Sequence, residues 1–133
     1  MNVKPGENVL IVTDDEKYAI GQALYQAAKL LKAEAMLMTM PAREVSGQEP
    51  PAVVAAAMKA ADVVICPMKT SITHTRAKIE AAEAGARIAT MPGITEEMFA
   101  MGAMTADYSR VMALTEQVTD LLTNANTARI EKD

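Results

Sequence analysis

The chain has 133 residues, half of them hydrophobic, with a formal net charge of −4 and a sequence pI near 5.0. This length fits one compact domain, and an acidic chain without a basic stripe is not expected to bind nucleic acid. The N-terminus lacks the apolar segment of a signal peptide, and no run of about 18 apolar residues is present to span a membrane. These features predict a cytoplasmic protein that binds neither nucleic acid nor membrane.

Four short apolar segments are predicted to be strands, because each is bounded by turn-forming or helix-breaking residues. They cover residues 8–12, 33–40, 62–66 and 86–91. Prolines are expected to stop the last three of them, at Pro41, Pro67 and Pro92.

Helical patterns follow each strand. Helices are predicted from Asp14 or Asp15 as N-cap to about Lys32, from Pro51 to about Ala61, from about His74 to a cap at Gly85, after a capping Thr95, and from Asp107 to Thr123. The expected apolar faces are Ile20, Leu24, Ala27, Ala28 and Leu31 in the first helix, and Val111, Leu114, Val118, Leu121 and Leu122 in the last.

Repeated strand–helix units predict an α/β fold with a parallel sheet, because apolar strands of this kind are buried on both faces. We therefore expect a small doubly wound three-layer sandwich whose mostly parallel sheet has about four or five strands. Residues 1–125 are predicted to form this N-terminal α/β domain. Residues 126–133 are predicted to be a linker, or the first strand into a missing C-terminal catalytic domain.

Any site in such a sheet is expected in the loops at the carboxyl ends of the strands. One of these loops reads "KTSITHTRAK", residues 69–78, and contains the only histidine of the chain. Ser71, Thr73, His74 and Thr75 are therefore the candidates for contact with a cleft or a substrate, since an imidazole titrates near neutral pH. The alternative is that this loop is only a polar entry into a helix.

Several familiar sites are not predicted. Asp14 and Asp15 resemble the acidic pair of a phospho-receiver domain, but the third strand ends in Pro67 where that fold needs an aspartate, so helix capping is favoured. Glycine-rich nucleotide loops and a G-x-S-x-G nucleophile motif are missing. Cys66 lies in an apolar run and is expected to be a buried hydrophobe. We expect no catalytic residue, metal site or cofactor within the chain itself.

Three segments carry a resemblance to a known family: "VKPGENVLIVTDDEKYAIGQAL", "DVVICPMKTSITHTRAKIEAAEAGARIATMPGITEEMF" and "ADYSRVMALTEQVTDLLTNANTARI". Together they resemble the N-terminal region of thermophilic-type metallo-aminopeptidases, of the aminopeptidase T and S or leucyl aminopeptidase type. The resemblance implies a two-domain homodimer. Its larger C-terminal domain would hold a pair of divalent metals, of the zinc or cobalt type, that activates water for cleavage of N-terminal residues from peptides.

The resemblance therefore makes this chain the N-terminal domain of a metal-dependent aminopeptidase, inactive alone, with its own C-terminal catalytic domain and a peptide substrate as partners. It would supply scaffold, interdomain packing and one wall of a cleft. Related proteins on the same scaffold include iron-dependent ring-cleaving dioxygenases of dihydroxypyridines, so the N-domain of such an enzyme is an alternative. Two others are an autonomous small-ligand-binding α/β domain and a self-association module using Met98, Met101 and Met104.

Overall fold

The computed structural model describes residues 1–132, apart from the side chains of residues 102 and 103. The strands are β1 (Asn8–Asp14), β2 (Glu34–Met40), β3 (Val63–Met68) and β4 (Arg87–Pro92). The helices are α1 (Tyr18–Leu30), α2 (Ala52–Ala60), α3 (Arg76–Glu83), α4 (Glu96–Ala100) and α5 (Tyr108–Asn124), with 3₁₀ turns at Asp15–Lys17 and Gly102–Thr105. Among the described residues, no helix is long and apolar enough to cross a membrane.

The chain divides into two compact units, Met1–Glu97 and the residues from Met98 onward. The first unit contains the sheet, whose four strands are all parallel and lie in the order β2-β1-β3-β4. Val9 marks the register at the centre, since it lies opposite Ala35 of β2 and Val63 of β3. The predicted parallel sheet is therefore confirmed, with four strands.

Each face of the sheet packs against helices. One face forms a core with α2 and α3, and its fully buried members include Leu10, Val64 and Met58. The other face packs against α1 through Val9, Ile11, Val63 and Ala28. Burying each of the larger side chains, the valines, leucine, isoleucine and methionine, contributes roughly 1.5–3 kcal/mol. Helices on both faces of one sheet confirm the three-layer sandwich.

The apolar face predicted for α1 is right for Ile20, Leu24 and Ala28 and wrong for Ala27 and Leu31. Ile20 and Ala28 are buried, but Ala27 is exposed and Leu31 is half exposed. The helix ends at Leu30, and Lys32 adopts a left-handed backbone with φ of 62°. Leu31 therefore lies beyond the end of the helix, and its side chain does not continue the buried face.

Pro67 does not stop the third strand, contrary to the prediction. β3 continues through Pro67 to Met68, and both residues pair with β4. The pairing of β3 with β1 ends at Ile65, and the Pro67 carbonyl on that side accepts a hydrogen bond from the Thr13 hydroxyl at 3.0 Å. Because the backbone nitrogen and carbonyl of a strand residue point to the same side, the missing N–H of Pro67 costs no ladder bond.

The second unit contains α5, with Asp107 as its N-cap, as predicted. The expected apolar face is present in the helix, but its five side chains are exposed. Residues 126–132 form neither helix nor strand. Their role as a linker or an entry to a further domain stays a prediction.

An ion pair joins the residues before β1 to the start of β4. The Arg87 guanidinium donates to both carboxylate oxygens of Glu7, at 3.1 and 2.7 Å, and the Lys4 backbone N–H donates to the same carboxylate at 2.7 Å. These hydrogen bonds, that of Arg87 first, lower the pKa of Glu7 below its ordinary value of 4.5. The pair therefore stabilises the fold while the carboxylate is ionised.

The Glu7–Arg87 pair predicts a specific loss of stability in acid. Its contribution is complete above pH 4.5 and disappears as the pH falls through the lowered pKa of folded Glu7. Glu7→Gln should lower the melting temperature near pH 7 by no more than about 5 °C, since the pair is partly solvated. Below pH 4.5 the melting temperature of the variant should depend less steeply on pH than that of the wild type. Thermal melts between pH 7 and pH 2.5 test this, with the exposed Glu34→Gln as control; parallel curves for wild type and Glu7→Gln would refute it.

Candidate functional site

The carboxyl edge of the sheet contains a topological switch point between β1 and β3. From β1 the chain turns to β2 on one side, whereas β3 leads to β4 on the other. In open parallel sheets the loops that diverge at such a point leave a crevice where ligands bind. The loops after β1 and β3 are therefore the first place to look for a site.

Asp14 occupies the switch point and is completely buried. Its Oδ1 accepts the Lys17 backbone N–H at 3.0 Å, and its Oδ2 accepts the Lys69 backbone N–H at 2.6 Å. The predicted capping role is thus confirmed for Asp14, which also ties the end of β1 to the loop after β3. Asp15 is not a cap, because its carboxylate accepts the Ala42 backbone N–H at 2.9 Å.

Lys69 forms an ion pair at this edge with Glu16, with 2.6 Å between Nζ and Oε1. The hydrogen bond and the charge of Glu16 raise the pKa of Lys69. Because both side chains are about half exposed, water screens the pair and its contribution to stability is small. With its charge compensated by Glu16, Lys69 is a weak candidate for binding an anion.

The hydroxyl groups of the "KTSITHTRAK" loop form a short chain that reaches β4. The Ser71 hydroxyl donates to Thr73 Oγ1 at 2.9 Å, and Thr73 Oγ1 lies 2.9 Å from Thr90 Oγ1. The sequence places Thr90 at the carboxyl end of the fourth strand but singles out only Ser71 and Thr73 of these three. Thr90 reaches Thr73 through the pairing of β3 with β4, which the sequence alone does not show.

Thr75 and His74 lie outside this chain of hydroxyl groups. Thr75 is buried and caps α3: its hydroxyl donates to the Ile72 carbonyl at 2.7 Å and accepts the Lys78 backbone N–H at 3.3 Å. The predicted helix start at His74 is therefore wrong by two residues. His74 lies in the turn before the cap, is exposed, and has no partner among the described residues.

The first unit has at least two clefts. One, of about 300 Å³, is lined by Glu16, Lys17, Ala19, Ile20, Ile94, Thr95 and Glu96. A second, of about 510 Å³, is a shallow groove lined by Glu49, Pro50, Ala52, Ala55, Arg76, Ala77 and Glu80. Neither of these two clefts is lined by Ser71, Thr73, His74 or Thr75. His74 is exposed, Ser71 and Thr73 are half-buried, and Thr75 is buried beneath them.

Cys66 and the acidic residues offer no second centre. Burial raises the pKa of the Cys66 thiol to about 12, so it is protonated at neutral pH and is not a nucleophile. Across residues 1–132, no group of three histidine, cysteine, aspartate or glutamate side chains is placed to hold a metal ion. The first unit thus offers hydrogen-bonding groups around one exposed imidazole, without a metal centre.

Comparison with known proteins gives one family. The family model described as NicX: 2,5-dihydroxypyridine 5,6-dioxygenase matches residues 1–133. No curated protein sequence matches this chain. Among solved structures, 2,5-dihydroxypyridine dioxygenase from Pseudomonas putida KT2440 aligns with a TM-score of 0.54 and 20% identity, over 68% of this chain and 30% of that chain. At that identity the structural match supports the fold alone.

These findings overturn the assignment to the metallo-aminopeptidases, and with it the predicted aminopeptidase, metallopeptidase and hydrolase activity. The quoted segments form the scaffold, and their described residues hold no group of three metal ligands, so they do not distinguish a peptidase from a dioxygenase on the same fold. The alternative drawn from the same resemblance, a domain of a ring-cleaving dioxygenase, is the one that agrees with the family match. The chain belongs to the NicX family, that of 2,5-dihydroxypyridine 5,6-dioxygenase.

Proposed function

We propose that this chain is the N-terminal α/β domain of a dioxygenase that opens the ring of a dihydroxylated pyridine. The observation that carries the proposal is the family match over residues 1–133. The chain spans about 30% of the length of the solved dioxygenase that it resembles. The proposed enzyme therefore has a further, larger catalytic part, for which residues 126–133 serve as the linker.

Ring cleavage by dioxygen requires a metal or an organic cofactor, and for a member of a dioxygenase family we propose a metal. The residues described in this chain do not fit such a centre, since they offer no group of three metal ligands. The ligands therefore belong to the catalytic part of the enzyme. Iron, which the resemblance implies for ring-cleaving relatives, is the metal we propose; the zinc or cobalt pair belonged to the peptidase assignment and is not proposed.

In the complete enzyme the α/β domain forms one wall of the cleft, with Ser71, Thr73 and His74 on its surface and Thr75 holding the loop from beneath. A dihydroxypyridine presents two hydroxyl groups and a ring nitrogen. An imidazole and a hydroxyl can each donate and accept hydrogen bonds, so they match such a ring. The exposure of His74 and its lack of a partner among residues 1–132 leave its imidazole available for this contact. A homodimer is the assembly we propose.

The role of the domain is tested by removing it. The complete protein should consume dioxygen with 2,5-dihydroxypyridine, whereas the same protein without residues 1–125, and the 133-residue chain alone, should not. His74→Ala in the complete protein should lower kcat/KM about 10²-fold, because a group that orients substrate or transfers its proton is worth that much. Glu83→Ala, an exposed change in the last turn of α3, is the matched control. Full activity without residues 1–125 would contradict the proposal.

A further inference from the structure

The first turn of α3 is completed by a carboxylate from another segment of the chain. The Thr75 hydroxyl accepts only the Lys78 backbone N–H, at 3.3 Å. Glu49 accepts the two preceding ones: its Oε1 lies 2.6 Å from the Arg76 nitrogen and its Oε2 lies 3.2 Å from the Ala77 nitrogen. A negative charge at a helix N-terminus is favourable, since it satisfies free N–H groups and opposes the helix dipole. Glu49 thus supplies most of the cap although it lies 27 residues before Arg76.

The segment that carries Glu49 is bonded to the other end of the same turn. The Gly47 backbone N–H donates to the Ser71 carbonyl at 2.8 Å, and the Ser71 backbone N–H donates to Ser46 Oγ at 3.2 Å. Gly47 has a φ of 85°, a conformation that favours glycine. Pro50, which is buried, follows Glu49 directly and restricts the backbone there. Residues 46–49 therefore hold the 71–77 segment at both ends.

His74 lies in the middle of that segment. The bonds at Ser71 precede it and the bonds at Arg76 and Ala77 follow it, while its own side chain is exposed. We propose that Glu49 is a positioning residue that holds the His74 turn in place, and so fixes where the imidazole stands. What the imidazole contacts there rests on the proposed function. Without the Glu49 carboxylate, two helix N–H groups face water, the first turn of α3 frays, and the His74 turn loses its second anchor.

The test is NMR of the full chain. In Glu49→Ala the backbone amides of Arg76 and Ala77 should exchange about tenfold faster, because each loses a charge-assisted bond. The order parameter of the His74 amide should fall from the rigid range near 0.85 toward about 0.6. Glu49→Gln, which keeps one acceptor oxygen, should lie between. Glu80→Ala is the matched control, since Glu80 pairs with the Arg76 side chain at 3.6 Å but accepts no amide of this turn.

Unchanged exchange at both amides in Glu49→Ala would show that Glu49 does not hold the first turn of α3. An unchanged His74 order parameter would show that Glu49 does not position the His74 turn. In the complete enzyme, Glu49→Ala should lower kcat/KM and should add nothing to His74→Ala. Additive losses would show that Glu49 does not act through His74. If the wild-type enzyme had no dioxygenase activity, only the proposed function would be refuted. The NMR measurements would still decide whether Glu49 holds the His74 turn in place.

Discussion

Asp14→Ala is expected to destabilise the protein by about 3 kcal/mol and to lower its melting temperature by about 10 °C. The wild-type carboxylate is completely buried and accepts the backbone N–H groups of Lys17 and Lys69. Removing it leaves both donors without their acceptor at the junction of β1, α1 and the loop after β3. Thermal or urea denaturation measures the loss directly.

Asp15→Ala is the matched control for this prediction. Asp15 adjoins Asp14 and has the same chemistry, but it is exposed and accepts only the Ala42 N–H. We expect it to cost about 1 kcal/mol or less. Asp14→Asn should fall between the two, because its amide accepts one N–H while its NH₂ group faces the other donor. Equal losses in Asp14→Ala and Asp15→Ala would show that the buried carboxylate does not hold the switch point together.

Gly21→Ala is expected to destabilise the protein by about 2 kcal/mol, although alanine is the better helix former. A β-carbon at Gly21 would lie 2.9 Å from both Cβ and Cγ2 of Thr13. Thr13 is fully buried in β1, and rotation of its side chain does not move its Cβ. The added methyl group therefore forces α1 away from the sheet, and that cost exceeds the gain of about 1 kcal/mol in helix propensity.

Ala23→Gly, the opposite change two residues later, distinguishes the effect of packing against β1 from that of helix propensity. Ala23 is exposed on the same helix, so Ala23→Gly should lose only about 1 kcal/mol of helix propensity. If propensity alone governed both positions, Gly21→Ala would stabilise the protein by a similar amount. Urea denaturation of the two variants distinguishes these outcomes, and a stabilised Gly21→Ala would contradict the close contact of α1 with β1.

The layers of the fold were predictable because their signals are local. Apolar strands between breakers, each followed by an amphipathic helix, are sufficient to predict a parallel three-layer sandwich. Pro67 was misinterpreted because its effect depends on the side of β3 to which its nitrogen points, and only the pairing with β1 decides that. The start of α3 was missed because Ser71, Thr73 and Thr75 are equivalent cap candidates in sequence.

The candidate site was predictable only in part. Position at a strand end was enough to select Ser71, Thr73 and His74 as candidates. Thr90 contacts Thr73 from 17 residues away in the chain. Glu49 binds the amides of Arg76 and Ala77, just after His74, from 27 and 28 residues away. The chemistry was misassigned for a related reason. The segments that carry the resemblance fix the scaffold, whereas the residues that decide between hydrolysis and ring cleavage are metal ligands that they do not contain.

Dioxygen uptake by the complete protein is the most direct test of the proposed ring cleavage. The protein, supplied with ferrous iron, is given 2,5-dihydroxypyridine in one oxygen-electrode assay and an amino-acid anilide in a parallel assay of hydrolysis. We expect one molecule of O₂ to be consumed for each dihydroxypyridine ring opened, and the anilide to be left intact. Hydrolysis of the anilide without dioxygen uptake on the pyridine would contradict it.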